Sequence, residues 1–567
     1  MSSGTTTGAW LRRQLAGVLP RRDDYADLPR SWRRDLVAGV TVAVVALPLA
    51  LGFGISSGLG AAAGLVTAVV AGALAAVLGG SHLQVSGPTG AMTVVLVPVV
   101  ARHGAESVAA VAIMAGGLVV LGGLLGLGRL VGYIPWPVVE GFTFGIGIVI
   151  ALQQVPLALD TPRAEGENAL VVAVRTLGDV DWAAAAPALG VVAGVVAVMV
   201  VLPRIRRGLP ASLVAVALAT VVAEVAHLDV DRIGALPAAL PGPHLPMLDL
   251  ATTSALFSSA LAIAALAALE SLLSARVADG MADDIGRTQP DRELVGQGLA
   301  NVAAALFGGM PATGAIARTA VNVRSGARTR VSALMHALVL AGVVYLGAGL
   351  VSRIPLSALA GVLLVTAMRM VDVRTAVAIC RSGRSEALVL IATLVVTVAF
   401  DLVLAVEVGV AVAAVLALLA VARSSGLHRE SVPDDDSVDA DSEHALLHEH
   451  IAVYRIDGAL FFADVRRFLD ELALVTDVRV VVLRLSSVRV LDASGANALA
   501  EIVDDLRHRG IVVLLKGLRP EHRRVVESVG VLARLDHERH LFTDLDDALD
   551  HARAHVRRAL EPERPAA

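Results

Sequence analysis

Glu270 stands inside the apolar run Ala264-Ala265-Leu266-Ala267-Ala268-Leu269-Glu270-Ser271. A carboxylate in such a run is costly and marks a functional position by default. Balanced between burial and a neighbouring cation, it can carry a proton or coordinate Na⁺. Ser274, four residues on, shares its helical face, so Glu270 and Ser274 are the expected ion-coupling residues. Two further segments echo each other: Ser86-Gly87-Pro88-Thr89-Gly90-Ala91 and Met310-Pro311-Ala312-Thr313-Gly314-Ala315. Corresponding Gly/Pro-interrupted segments in two halves of a membrane protein mark a binding site built from broken helices. The N-terminal amides of such helices hold anions. Arg318, five residues into the second segment's helix, either lends its charge to that site, neutralises Glu270, or anchors the chain with Arg324 and Arg328. The expected anion-binding set is Ser86, Gly87, Thr89, Gly90, Ala91, Thr313, Gly314, Ala315, Ile316 and Arg318.

The elements that must position these residues are membrane spans. The chain has 567 residues, of which 56% are hydrophobic and 17% charged, with a mean hydropathy of +0.72. That composition belongs to a polytopic membrane protein. Charge rises after about residue 423, which implies a soluble region beyond. The single cysteine, Cys380, excludes an intramolecular disulfide and any Cys-based zinc or iron–sulfur site. Fourteen apolar runs are read, at 36–54, 60–78, 84–100, 107–127, 134–155, 182–202, 209–228, 254–275, 293–307, 313–323, 331–351, 355–371, 385–401 and 403–422. Arg12, Arg13, Arg21, Arg22, Arg30, Arg33 and Arg34 place the N-terminus inside by the positive-inside rule. The loops then assigned to the cytoplasm hold fourteen arginines, and the outer loops only Arg102, Arg163, Arg175, Arg232 and Arg353. Residues 1–34 read as a retained cytoplasmic leader rather than a signal peptide. The even span count puts the soluble region in the cytoplasm too. Spans 3 and 10 run in opposite directions. If each helix begins at its Pro/Thr/Gly turn, two half-helices point their N-termini at one another near the midplane, after extended backbone that must be buried in protein.

These residues resemble the sulfate permease (SulP) family. The resemblance rests on Ala38-Gly39-Val40-Thr41-Val42-Ala43 through Pro48, on Gln84 to Gly90, Val277-Ala278-Asp279, Asn301, Arg292 to Gly298, and Gly308 to Thr319. It implies seven-plus-seven inverted repeats, with core spans 1–4 and 8–11 moving against a gate of 5–7 and 12–14. The anion would lie between the N-termini of spans 3 and 10. In relatives that carry Na⁺ with bicarbonate, the position of Glu270 looks like an aspartate and that of Ser274 a threonine. Glu and Ser here shift the expectation to proton coupling, with Na⁺-coupled bicarbonate symport as the alternative. Relatives often have Gln after the first-span proline, whereas Leu49 follows Pro48, so that side-chain contact to substrate is lost.

Residues 426–445, rich in Asp434, Asp435, Asp436, Asp439 and Asp441, read as an acidic solvated linker. Residues 446–556 alternate short apolar strands with helices and read as a small α/β domain, leaving 557–567 as a tail. The domain resembles a STAS domain in Gly458-Ala459-Leu460-Phe461-Phe462 and Leu491-Asp492-Ala493-Ser494-Gly495-Ala496. That resemblance implies dimer formation and partner binding. It makes Ser494 either a regulatory phosphorylation position or a helix cap. Glu140, Asp401 and Glu407 are read as structural. His444, His448 and His450 lack metal-ligand spacing, and neither an enzyme site nor a metal is expected. The combined expectation is a homodimeric inner-membrane secondary transporter of a small anion (sulfate, bicarbonate, chloride or dicarboxylate). It would work by elevator-like alternating access without cofactor or nucleic acid, drawing on protons or on Na⁺. An anion-sensing membrane receptor signalling through its cytoplasmic domain is the other class, and a passive anion channel is disfavoured by the intramembrane carboxylate.

Overall fold

The structure is a computed structural model. It describes residues 24, 28–129, 135–166, 168–206, 209–237, 239–245, 250–282, 285–400, 402–424, 426–430, 450–460, 478–537 and 540–560. Two compact units divide between Ala413 and Ala414.

The first unit is helical. Its elements are α1 (Leu28–Ser56), α2 (Gly60–Leu78), β1 (Ser86–Gly87), α3 (Gly90–His103), α4 (Ser107–Leu124), α5 (Trp136–Gln153), α6 (Val155–Ala158), α7 (Ala169–Asp179), α8 (Trp182–Ile205), α9 (Ala211–Val225) and α10 (Leu250–Met281). There follow α11 (Pro290–Leu306), β2 (Thr313–Gly314), α12 (Ile316–Arg324), α13 (Val331–Val351), α14 (Leu356–Met370), α15 (Val373–Ser382), α16 (Arg384–Ala399) and α17 (Leu402–Ser424), within which the division falls. A helix falls on every one of the apolar runs read from the sequence. Eight helices among the described residues are long and apolar enough to cross a membrane.

Packing follows small residues, as expected where lipid supplies no hydrophobic drive between helices. A Cβ at Gly116 of α4 would meet the Gly298 carbonyl oxygen at 2.6 Å, and one at Gly298 of α11 would meet that of Gly116 at 2.5 Å. The backbones there touch directly. Gly54 of α1 and Gly64 of α2 are equally close, since a Cβ at Gly64 would lie 2.0 Å from the Ala50 carbonyl oxygen. Helix α1 packs on α13 as α10 packs on α4. Helix α5 packs on α16 as α14 packs on α8.

Three differences from the sequence reading have local causes. The second half-helix begins at Ile316, not 313, because Thr313 and Gly314 are extended and pair with Gly87 and Ser86. Helices α7 and α15 lie in stretches read as loops. Each carries charge (Arg175 and Asp179; Arg374 and Arg381) on a short amphipathic helix, which hid it from a search for apolar runs. Glu140 accepts a hydrogen bond from Trp136 Nε1 at 2.9 Å. Asp401 and the side chain of Glu407 lie outside the described residues.

The second unit holds a six-stranded sheet. Its strands are β3 (Gly426–Glu430), β4 (Ile451–Leu460), β5 (Val480–Arg484), β6 (Val488–Leu491), β7 (Val512–Lys516) and β8 (Leu541–Phe542), with α18 (Ala493–His508), α19 (Pro520–Ser528) and α20 (Leu545–Leu560). The order is β3-β4-β5-β7-β8, with β6 paired to β4 and only β3 antiparallel. Side chains alternate between two faces. Ala452, Tyr454, Val481 and Leu483 meet Leu499, Val503 and Val526 on one face. Ile451, Val453, Val480 and Val482 meet Ala548, Leu549, Ala552 and Val556 on the other. Strand β3 occupies the start of the segment read as linker: the acidic run begins only at Asp434, leaving Gly426–Glu430 free to pair. Helix α20 likewise continues to Leu560, into the segment read as tail.

Candidate anion-binding site

Two crossings made half of extended chain and half of helix meet through the strand pair β1–β2, in register Ser86↔Gly314 and Gly87↔Thr313. Buried extended backbone needs partners, and beyond the strand pair most come from short polar side chains. Thr67 Oγ1 accepts from Met310 N–H at 2.7 Å and donates to the Met310 carbonyl at 3.0 Å. Asn301 does the same for Ala312, its Oδ1 accepting at 2.7 Å and its Nδ2 donating at 2.9 Å. Asn322 Nδ2 donates to the Leu83 carbonyl at 2.8 Å. Thr319 Oγ1 accepts from Val85 N–H at 3.1 Å, and Ala315 N–H donates to the Val85 carbonyl at 2.9 Å. Ser271 Oγ accepts from Gly314 N–H at 3.0 Å.

Glu270 lies at the centre. Thr313 Oγ1 donates to its Oε2 at 2.6 Å and Thr89 Oγ1 donates to the same oxygen at 2.9 Å, while the two hydroxyls are 3.2 Å apart. Thr89 is the N-cap of α3, its hydroxyl oxygen accepting from Met92 N–H. The first amides of α3 and α12 are the unsatisfied donors that helix starts leave. Arg318, 2% exposed, reaches back from α12 to donate through Nη2 to the Pro88 carbonyl. Its Nη1 has no hydrogen-bond partner. Gly87 makes this reach possible, because a Cβ there would lie 2.6 Å from Arg318 Nη1. Gly90 admits Ile150 of α5, whose Cδ1 would sit 2.1 Å from a Cβ on it. Gly314 likewise admits Gln84 Nε2. Ala91 and Ala315 are buried, and Ile316 is partly exposed.

The structure therefore brings Glu270, Thr89, Thr313 and the two helix starts together, with Arg318 beside them. It sets Ser86 and Ser274 apart from the carboxylate. Ser86 Oγ donates to Gln297 Oε1 at 2.9 Å, and Ser274 Oγ lies 3.0 Å from Thr319 Oγ1. Ser274 shares the helix of Glu270 but its hydroxyl serves the crossing below. Ser494 is exposed in the first turn of α18, whose cap is Asp492, with Oδ1 accepting from Gly495 N–H at 2.7 Å. The capping role read for Ser494 thus belongs to Asp492, whose carboxylate outcompetes it two residues earlier.

A second polar cluster was legible only as the stretch Arg292 to Gly298. Glu293 accepts from Gly80 N–H (2.8 Å), Ser81 N–H (3.0 Å) and Gln84 Nε2 (2.8 Å). Arg292 binds both oxygens of Asp24, at 3.1 and 2.8 Å, and Arg330 Nη2 lies 3.6 Å from Asp24 Oδ1. Asp35 Oδ1 accepts from the amides of Arg328 and Thr329 at 2.7 and 3.0 Å. An acidic residue at each anchor was the available signal, and its partners were too distant in sequence to be read.

At the other end of α3, a cavity of about 680 Å³ opens among Val94, Arg102, Gln153, Asn168, Ser258 and Phe400. It stops at Ala262, two helical turns short of Glu270, about 12 Å along the axis.

The sulfate permease family matches residues 32–393, and the STAS domain matches residues 445–548. The putative sulfate transporter YvdB of Bacillus subtilis is 32% identical, covering 91% of this chain and 97% of its own. The bicarbonate transporter BicA of Synechocystis is 32% identical, covering 92% and 94%. The transmembrane domain of a cyanobacterial BicA superposes with a TM-score of 0.59 at 34% identity, over 68% of this chain and 97% of that one. The murine anion transporter Slc26a9 shares the fold, with a TM-score of 0.80 at 16% identity over 95% and 94%.

Proposed function

The chain belongs to the sulfate permease family, and from that premise we propose that it is a proton-coupled secondary transporter of small inorganic anions. The convergence of two threonine hydroxyls on one Glu270 oxygen, between two helix starts, carries the reading. Here the carboxylate itself takes the place of an anion. Protonation removes its charge, so a substrate anion can approach the first amides of α3 and α12, the threonine hydroxyls and the unpartnered Nη1 of Arg318. Loss of the proton on the other side restores the carboxylate, which retakes the hydroxyls and expels the anion. Proton and anion thereby move in the same direction.

Fourteen crossings in two inverted repeats fit the helices found and the pairing of α1 with α13 as α10 pairs with α4. The core would be α1–α4 with α10–α13, stitched through β1–β2. It would slide as an elevator against α5, α8, α9, α14, α16 and α17. The arginine bias supports a cytoplasmic side at the Asp24–Arg292 cluster and an outer side at the Arg102 cavity, in an inner membrane with both termini cytoplasmic. A homodimer assembled with help from the C-terminal domain completes the picture. The names of the relatives favour sulfate or bicarbonate among the candidate anions.

Counterflow and gradient-driven uptake in proteoliposomes, with labelled sulfate, bicarbonate, chloride and dicarboxylate, test this directly. The wild type accumulates one of these under an inward proton gradient without Na⁺. Glu270→Gln keeps anion exchange but loses at least about tenfold in accumulation, a coupling of about 1.4 kcal/mol. Undiminished concentrative uptake by that variant removes Glu270 from the coupling role. Binding without flux in the wild type turns the reading toward a sensor.

A further inference from the structure

Four histidines gather at one edge of the C-terminal unit. His537 and His540 precede β8, and His551 and His555 lie one turn apart on α20. The ring of His540 is centred 5.4 Å from those of both His551 and His555, which are 4.9 Å from each other. One ring nitrogen from each of these three lies within 4.8 Å of the others. We infer that His540, His551 and His555 bind a divalent cation of the zinc class, with a fourth position open to water.

The donor set fixes the chemistry. Three imidazole nitrogens suit Zn²⁺, Ni²⁺ or Cu²⁺ and not Mg²⁺ or Ca²⁺, which take oxygen. Tetrahedral Zn–N bonds of about 2.0–2.1 Å place the nitrogens about 3.3 Å apart. The rings reach that spacing by closing about 1.5 Å from the widest separation present. Histidines at i and i+4 on one helical face are a recurring zinc-binding arrangement.

His540 supplies the independent observation. It is 3% exposed, and its Nδ1 has no hydrogen-bond partner. A buried polar nitrogen without a partner calls for an explanation, and ring packing alone provides none. A metal ion accounts for it. Asp536, paired with Arg507 at 2.8 Å, adds negative charge to the cluster. His551 and His555 are only partly buried, which leaves a route for entry. They also lie beyond residue 548, where the STAS match ends. A bound ion ties the edge strand β8 to α20, whose stripe of Ala548, Leu549, Ala552 and Val556 covers one face of the sheet.

The full-length chain, purified in detergent without a polyhistidine tag and stripped with chelator, is titrated with Zn²⁺ and separately with Co²⁺. It retains one equivalent of zinc through gel filtration, its apparent Tm rises, and Co²⁺ gives the intense visible absorption of tetrahedral coordination. The His551→Gln/His555→Gln variant keeps a polar helix face. It melts like the chelated wild type, yet binds zinc more weakly by over the ~10–100-fold that losing a mere outer-shell partner costs. Substituting His444, His448 and His450 by Gln leaves binding unchanged. A wild type that holds no stoichiometric zinc overturns the site, as does a double variant that binds equally well. If the double variant folds poorly, His555→Gln alone decides: undiminished zinc affinity there also overturns it.

Discussion

The two broken crossings share a backbone plan but not their side chains. Each runs extended, pairs with the other for two residues and then starts a helix. The first helix has 14 residues and a threonine cap; the second has 9 and begins after Ala315, whose side chain caps nothing. Thr89 and Thr313 stand at matching places in the two motifs. One caps its helix while the other sits in the strand, yet both reach the same Glu270 oxygen. The cation comes from one side only. Arg318 follows Thr313 by five residues, and the residue at the same distance after Thr89 is Val94, which lines the 680 Å³ cavity. A near-symmetric backbone thus yields a site with one fixed positive charge, adjacent to one carboxylate.

The largest way to break this asymmetry is Arg318→Ala. Truncating one side of a buried, charged hydrogen bond costs about 2–5 kcal/mol, so kcat/KM for anion uptake should fall about 30-fold or more. Adding Val94→Arg should not rescue it, because that position opens to the cavity. Rescue would show that the charge works from either half. The threonines give a smaller and more telling contrast. Thr313→Val and Thr89→Val each remove a hydrogen bond to a carboxylate, worth about 1.5–3 kcal/mol, and should shift the pH profile of uptake similarly. Thr89→Val alone also loses a cap worth about 1 kcal/mol, so only its apparent Tm should drop further. Equal melting would mean that the cap contributes nothing in this setting. The smallest effect is a gain: Ala315→Ser supplies the missing cap, for about 0.5–1 kcal/mol of stability, read as a rise in apparent Tm. A lower apparent Tm would show that the buried position has no room for the hydroxyl.

Much of this was legible in the chain. Apolar runs located a helix at every span read, and the repeated Pro-Thr-Gly-Ala pattern located both turns. Glu270 announced itself by its surroundings, because a carboxylate is conspicuous in an alanine- and leucine-rich helix. What sequence could not show was partnership at long range. That Thr313 is extended rather than helical depends on Ser86 and Gly87 lying beside it, and that Ser274 serves Thr319 rather than Glu270 depends on the angle between two helices. The amphipathic α7 and α15 were missed because charge near a membrane span reads locally as a loop. The histidines of α20 were missed because their third member sits on another element.

The strand pair also dictates an order of assembly. Thr89 and Thr313 are separated by 224 residues. Apart from Ser81 Oγ, which accepts from Leu83 N–H, the partners found for the backbone of residues 83–87 (the amide of Ala315, the side chains of Thr319 and Asn322, and the strand β2) belong to the later half. A growing chain that has inserted only its first half therefore carries an extended segment with no way to satisfy its polar groups in lipid. The segment must stay wet, or shielded by an insertion factor, until the second half arrives. A chain truncated before Thr313 should for this reason be a substrate for quality control rather than a smaller folded domain, although its hydrophobic spans are complete.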